Sequence, residues 1–75
     1  MPFGALDLHK KIVETILLDD AGNTTHSSRF PATGEAILAF ARTHLTKDHH
    51  IAIEATTNTW PVVALLEPFV ASVTV

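Results

Sequence analysis

The chain has 75 residues, no cysteine, and eight Asp+Glu against five Lys+Arg, for a net charge of −3. This length bounds it to one small domain, residues 1–75, with a modest buried surface, and the missing cysteines exclude disulfides and thiolate zinc sites. An apolar content of 47% is that of a globular chain, while the acidic balance argues against free-standing DNA binding, which depends on neutralising phosphates.

The purely apolar stretches are a few residues long, so none spans a bilayer and no membrane partner is expected. Met1-Pro2-Phe3-Gly4 lacks a basic region followed by an apolar segment, so no signal peptide is expected and the cytoplasm is the default location. His9-Lys10-Lys11 is the one basic cluster, with Arg29 and Arg42 isolated.

Residues 3–8 alternate, with Phe3, Ala5 and Asp7 on one face and Gly4, Leu6 and Leu8 on the other, which predicts a strand. Residues 12–19 are apolar and β-branched and predict a second strand. Asp20-Ala21-Gly22-Asn23 has hairpin-turn chemistry, since Gly and Asn tolerate positive φ. Residues 24–30 are extended in propensity but polar, as suits an edge strand ended by Pro31.

A helix is expected next. Thr33 is its N-cap, Glu35 complements the helix dipole, and Ile37, Leu38, Phe40, Ala41 and Leu45 share a face. Residues 47–49 lead out of it, and His50–Ala55 predicts a strand buried in mid-sheet. Thr56-Thr57-Asn58-Thr59 then offers caps for a second helix with Pro61 in its first turn. Its apolar side is Trp60, Val63, Ala64, Leu65 and Leu66, with Trp60 anchoring it on the sheet, and Pro68 stops it. Residues 70–75 close the chain as a last strand.

The order β-β-β-α-β-α-β predicts an α/β fold with a mixed sheet. Three antiparallel strands come first, and a right-handed crossover returns the fourth strand parallel to the first. The economical sheet order is 3-2-1-4-5. First and fourth strands are then parallel neighbours, with Asp7 and Glu54 near their carboxyl ends, the edge where open α/β sheets place ligands.

A carboxylate inside an apolar strand is costly unless it is paired or bound to a cation. Two on neighbouring strands suit Mg²⁺ or Mn²⁺, which take a few carboxylates plus water and phosphate oxygens. Two acids alone supply half of a two-metal site for phosphodiester cleavage. Thr56, Thr57 and the amides opening the second helix would add a phosphate-binding corner. In the plainer alternative, Asp7 faces solvent and Glu54 pairs with Lys10 or Lys11. His9 is a ligand, a phosphate contact or a solvated loop residue, and Lys10 and Lys11 contact phosphate or sit in a solvated turn. His49 and His50 lack a zinc partner set and read as loop.

Ala5-Leu6-Asp7-Leu8-His9-Lys10 resembles the opening G-x-D-x-H-K strand of the DEDD transposases of the insertion sequence 110 family. Ala52-Ile53-Glu54-Ala55-Thr56, followed by Trp60, resembles that family's second acidic motif. The spacing, the intervening hairpin and helix, and the closing Leu-Leu-Glu-Pro-Phe-Val-Ala-Ser-Val-Thr-Val also resemble it, so the resemblance covers essentially the whole chain. It implies an RNase H-like, RuvC-like domain using Mg²⁺, with Asp7 as the first acid and Glu54 as the second of a four-carboxylate set. It further implies DNA recombination guided by a structured RNA, and a downstream domain bearing a nucleophilic serine. Two departures stand out. Thr57 replaces a glycine found in many members, and the chain ends at Val75, before the third and fourth acids. Asp19, Asp20 and Asp48 fall in the wrong elements to replace them.

The expected function is therefore an N-terminal piece of a transposase catalytic domain, inactive alone. Two other classes compete. One is an actin-like kinase half-domain, which wants Gly and Thr just after the acid where this chain has Leu8-His9-Lys10. The other is a non-catalytic remnant that forms a homo-oligomer through the edge at residues 70–75.

Overall fold

The computed structural model describes residues 1–55 and 59–75. The elements are β1 (Phe3–Leu8), β2 (Ile12–Leu18), β3 (Thr24–Pro31), α1 (Gly34–His44), β4 (His50–Ala55), α2 (Trp60–Leu66), a 3-10 turn (Glu67–Phe69) and β5 (Ser72–Thr74). They form one five-stranded sheet in the order β3-β2-β1-β4-β5. β1–β2 and β2–β3 are antiparallel, and β1–β4 and β4–β5 parallel. This is the expected α/β fold, in the RNase H-like layout through its fifth strand. Among the described residues no helix is long and apolar enough to cross a membrane.

Alternation in the strands translates directly into a one-sided core. Leu6 and Leu8 of β1, Val13 and Leu17 of β2, and Ile51 and Ile53 of β4 are buried on one face, against Ile37, Phe40 and Ala41 of α1 and Val62, Val63 and Leu66 of α2. Each such Leu, Ile or Val contributes about 1.5–3 kcal/mol of burial. β4 is thus internal in the sheet but buried on one face only, because both helices pack on the same side. Ala52 and Glu54 are exposed, so the expectation of a strand enclosed on both faces is corrected.

Local signals place the ends of the elements. Asp19 leaves β2 one residue earlier than expected, and its carboxylate accepts hydrogen bonds from the amides of Ala21 (3.0 Å) and Asn23 (2.9 Å). Those amides hold the Asp19 carboxyl below its ordinary range. In that turn Gly22 alone takes a positive φ, 86°. Thr33 caps α1 by accepting from the Ala36 amide at 3.2 Å.

The last third of the chain departs more from expectation. Trp60 is 73% exposed rather than a core anchor, and Val62 takes the buried place assigned to Ala64, which is exposed. With Pro61 at the start of α2 the chain turns so that positions 62, 63 and 66 face the sheet, which leaves Trp60 outside. Pro68 sits inside the 3-10 turn, Val70 is buried as loop, and β5 is three residues long. The edge expected over residues 70–75 is therefore short. Thr56 and Thr57 lie outside the described residues.

Gly4 is a close-packed point on the sheet's inner face. A Cβ there would stand 2.7 Å from both Ile51 Cδ1 and Leu17 Cδ2. Gly4→Val is expected to destabilise the fold by about 1–3 kcal/mol through overpacking, read as a lower denaturation midpoint; an unchanged midpoint would show that the neighbours give way freely. Asp19 makes a prediction about pH. Its carboxyl titrates lower folded than unfolded, so its stabilisation is present above the unfolded value of about 3.9 and lost as pH falls through the folded one. The stability lost between about pH 5 and pH 2 should be smaller in Asp19→Asn than in the wild type. Equal losses in urea titrations of the two proteins would contradict this.

Candidate metal centre

The face turned away from the helices carries the charged residues. Asp7 leads Leu8 by one position in β1, and Leu8 is buried, so alternation turns Asp7 outward. The same parity turns out Glu14 of β2, between buried Val13 and Thr15, and Glu54 of β4, after buried Ile53. The sheet register then aligns them. Asp7 stands opposite Glu14 on one side and Glu54 on the other, and Glu14 stands opposite Arg29 of β3. One rung across four strands therefore reads Arg29–Glu14–Asp7–Glu54.

Beneath this rung lies a second one of small and apolar residues, Ser27–Ile16–Ala5–Ala52. The two rungs, Arg29 excepted, line an open groove of about 400 Å³ whose acidic wall is Asp7, Glu14 and Glu54. Like charges directly opposite in a ladder repel. Two contacts offset that here: Arg29 Nη2 donates to Glu14 Oε1 at 2.6 Å, and His9 Nε2 lies 3.2 Å from Asp7 Oδ2. Asp7, His9 and Glu14 are each about half exposed, with side-chain accessibilities of 50%, 53% and 46%.

Asp7 and Glu54 do sit at paired positions on parallel neighbours, as expected. The tighter group is a different one. One ligand atom from each of Asp7, His9 and Glu14 lies within 4.8 Å of the other two, and Glu54 lines the groove outside that cluster. Among the described residues Glu54 makes no ion pair with Lys10 or Lys11; these lysines are exposed in the β1–β2 connection, which the His9 amide closes on the Ile12 carbonyl at 2.9 Å. His9 is tied to Asp7 rather than simply solvated. His50 opens β4, as the expected strand His50–Ala55 has it, and its Nδ1 pairs with Ser72 Oγ at 2.6 Å.

Glu14 and Arg29 are the site residues that sequence reasoning missed. The signal was present for Glu14: it is an acid inside an apolar strand, like Asp7. The short Lys10-Lys11 connection puts residues whose numbers sum to 21 opposite each other, hence Asp7 opposite Glu14.

Asp19 and Asp20 lie beyond the far end of β2, where Asp20 pairs with the Met1 amino group at 2.7 Å, and Asp48 precedes β4. Since β1 and β4 are parallel, all three stand at the edge opposite Asp7 and Glu54. None of them can join the groove.

The donor set suits a hard or borderline divalent cation: carboxylate oxygens with one imidazole, reachable from solvent. No protein-family model matches the chain, and no curated protein matches it significantly. Because Asp7 is half exposed and outside the core, Asp7→Asn should change folding stability by no more than about 1 kcal/mol. A loss of several kcal/mol in chemical denaturation would make Asp7 a structural residue and disqualify it as a ligand held for function.

Proposed function

We propose that this chain is an N-terminal piece of a DEDD transposase catalytic domain of the insertion sequence 110 type, acting in DNA transposition. The observation that carries the reading is the register of Asp7 against Glu54. The two acids of the resembling motifs fall on adjacent parallel strands, side by side, on an open face and near the strands' carboxyl ends. The strand order supports it as well, since it is the RNase H-like one.

In this reading Asp7 and Glu54 would hold Mg²⁺ or Mn²⁺, and both offer the hard oxygen donors that these ions prefer. Bound there, a divalent ion would draw in a phosphate oxygen and neutralise charge as a DNA strand is cut and transferred. The chain's own residues do the positioning. Asp7 and Glu54 present their carboxylates from rigid strands, while Lys10 and Lys11, exposed just past Leu8, give the approaching backbone a cationic contact. Thr56 and Thr57 follow Glu54 in sequence and are assigned a neutral hydroxyl contact with the same backbone. DNA and a guide RNA are the partners of the whole protein. Asp19, Asp20 and Asp48 stand at the opposite edge, so in this reading Asp7 and Glu54 supply two carboxylates of the four-acid set and these residues alone are assigned no DNA cleavage.

Titration with Mg²⁺, followed by amide NMR, should shift residues around Asp7 and Glu54, and Asp7→Asn should abolish those shifts without unfolding the protein. The metal reading is overturned if the shifts persist in Asp7→Asn. The reading of the chain as an inactive piece is overturned if residues 1–75 cut branched or duplex DNA with Mg²⁺ and Asp7→Ala removes that activity.

A further inference from the structure

We infer that two copies of this chain associate by antiparallel pairing of β3 with β3 across a two-fold axis at Ser27, which joins their sheets edge to edge. This goes beyond the preceding reading and uses none of the groove's acids, so the two stand or fall separately.

β3 is the longest strand of the sheet and is paired on one side only. The Ala32 amide bonds the Lys11 carbonyl, and bonded pairs alternate along an antiparallel ladder. His26, Ser28 and Phe30 therefore direct their backbone groups to β2, while Ser27 and Arg29 turn theirs to the free edge. Natural edges are guarded by lysines, internal prolines, bulges or inward-pointing charges. From Thr25 to Phe30 this edge has none of them. Pro31 only ends the strand, the register shift lies at Leu17/Leu18 opposite its start, and the charged Arg29 is on the outer face.

A second copy, rather than a foreign strand, is favoured by how this edge matches itself. With Ser27 opposite the partner's Ser27, their free backbone groups meet, and Arg29 faces the partner's Thr25 instead of another arginine. Centring the pair on Arg29 would oppose like charges and draw Pro31, which has no N–H, into the ladder. The Ser27 register also sets His26 across from the partner's Ser28 in a non-bonded pair, the kind whose side chains lie closer. His26 lacks such a neighbour in the single chain. Its Nε2 is buried with no hydrogen-bond partner, and its ring stacks on His44 at 3.9 Å beside a groove of about 370 Å³ between β3 and α1. A serine hydroxyl donates or accepts, so it suits that nitrogen in either tautomer. The opposite edge of the sheet, β5, offers three residues. Because outer positions pair with outer positions, both acidic rungs open on one continuous surface, their β1 strands about 24 Å apart, five strand spacings.

The test is sedimentation equilibrium of the 75-residue chain up to about 1 mM, with amide hydrogen exchange followed by residue. A monomer–dimer equilibrium is expected, in which exchange at the Ser27 and Arg29 amides slows as concentration rises. Ser27→Lys should weaken association at least about tenfold, since each lysine would oppose its own copy. Ser27→Pro should do the same, because it removes an edge N–H that β2 does not use. Thr74→Lys, on the other edge, should change association less than about threefold. Preserved amide dispersion in each variant keeps loss of folding from passing as loss of pairing. The inference is overturned if the chain stays monomeric up to that concentration, if the two amides gain no protection, or if Ser27→Lys leaves association unchanged. Pairing through β5 would overturn it too, read as protection of residues 72–74 and loss of association in Thr74→Lys. So would a face-to-face dimer, read as shifts at Phe3, Ala5 and Ile16 with Ser27 and Arg29 unprotected.

Discussion

Strand β1 is hydrogen-bonded on both sides, and the rest of the molecule hangs on that double pairing. Its inward residues, Gly4, Leu6 and Leu8, are buried in the core, with Leu6 1% exposed and a Cβ at Gly4 able to enter only if the ends of the Ile51 and Leu17 side chains shift. Burying that line settles the parity of the strand. Once Leu6 and Leu8 face the helices, Asp7 cannot, since a one-residue slip would exchange every buried side chain for an exposed one. The ladders to β2 and β4 then pass this constraint sideways, and both glutamates are aligned with Asp7.

The core and the charged face are therefore two consequences of one pattern rather than separate devices. α1 and α2 cover only the inner side, so the outer side stays wet, and charges there meet little desolvation. That setting tolerates three acids in a row across the sheet, aided by Arg29 and His9. It also leaves them accessible to a cation and to a nucleic-acid backbone, which a sheet covered on both faces would not allow.

Within that face the ligand geometry splits in an informative way. Parallel neighbours Asp7 and Glu54 share a register position, but it is the antiparallel hairpin that brings ligand atoms closest, because the connection folds His9 back on Asp7. Glu14 thus links the two arrangements, lining the same groove as Glu54 while belonging to the cluster with His9. Asp7 is common to both, so it is the residue on which any chemistry of this face would depend.

Much of this was legible in the chain itself. Period-two alternation marks β1 and β2, Thr33 with its following helical face marks α1, and the count of elements points to the order 3-2-1-4-5. These are local signals, carried by side chains a few positions apart. Glu14 was legible too, as an acid between Val13 and Thr15, although its meaning depends on the partner it faces. Trp60 shows where local pattern fails. Its size suggests a core residue, but the direction in which α2 leaves the sheet puts Val62, Val63 and Leu66 inside instead. By itself, then, the sequence determined the order of the elements and the inner faces of β1, β2 and α1, because alternation and capping are properties of neighbouring residues. Tertiary structure alone decided that both helices share one side and that Arg29, Glu14, Asp7 and Glu54 form a single rung, because register and layer are settled by packing between segments far apart in the chain.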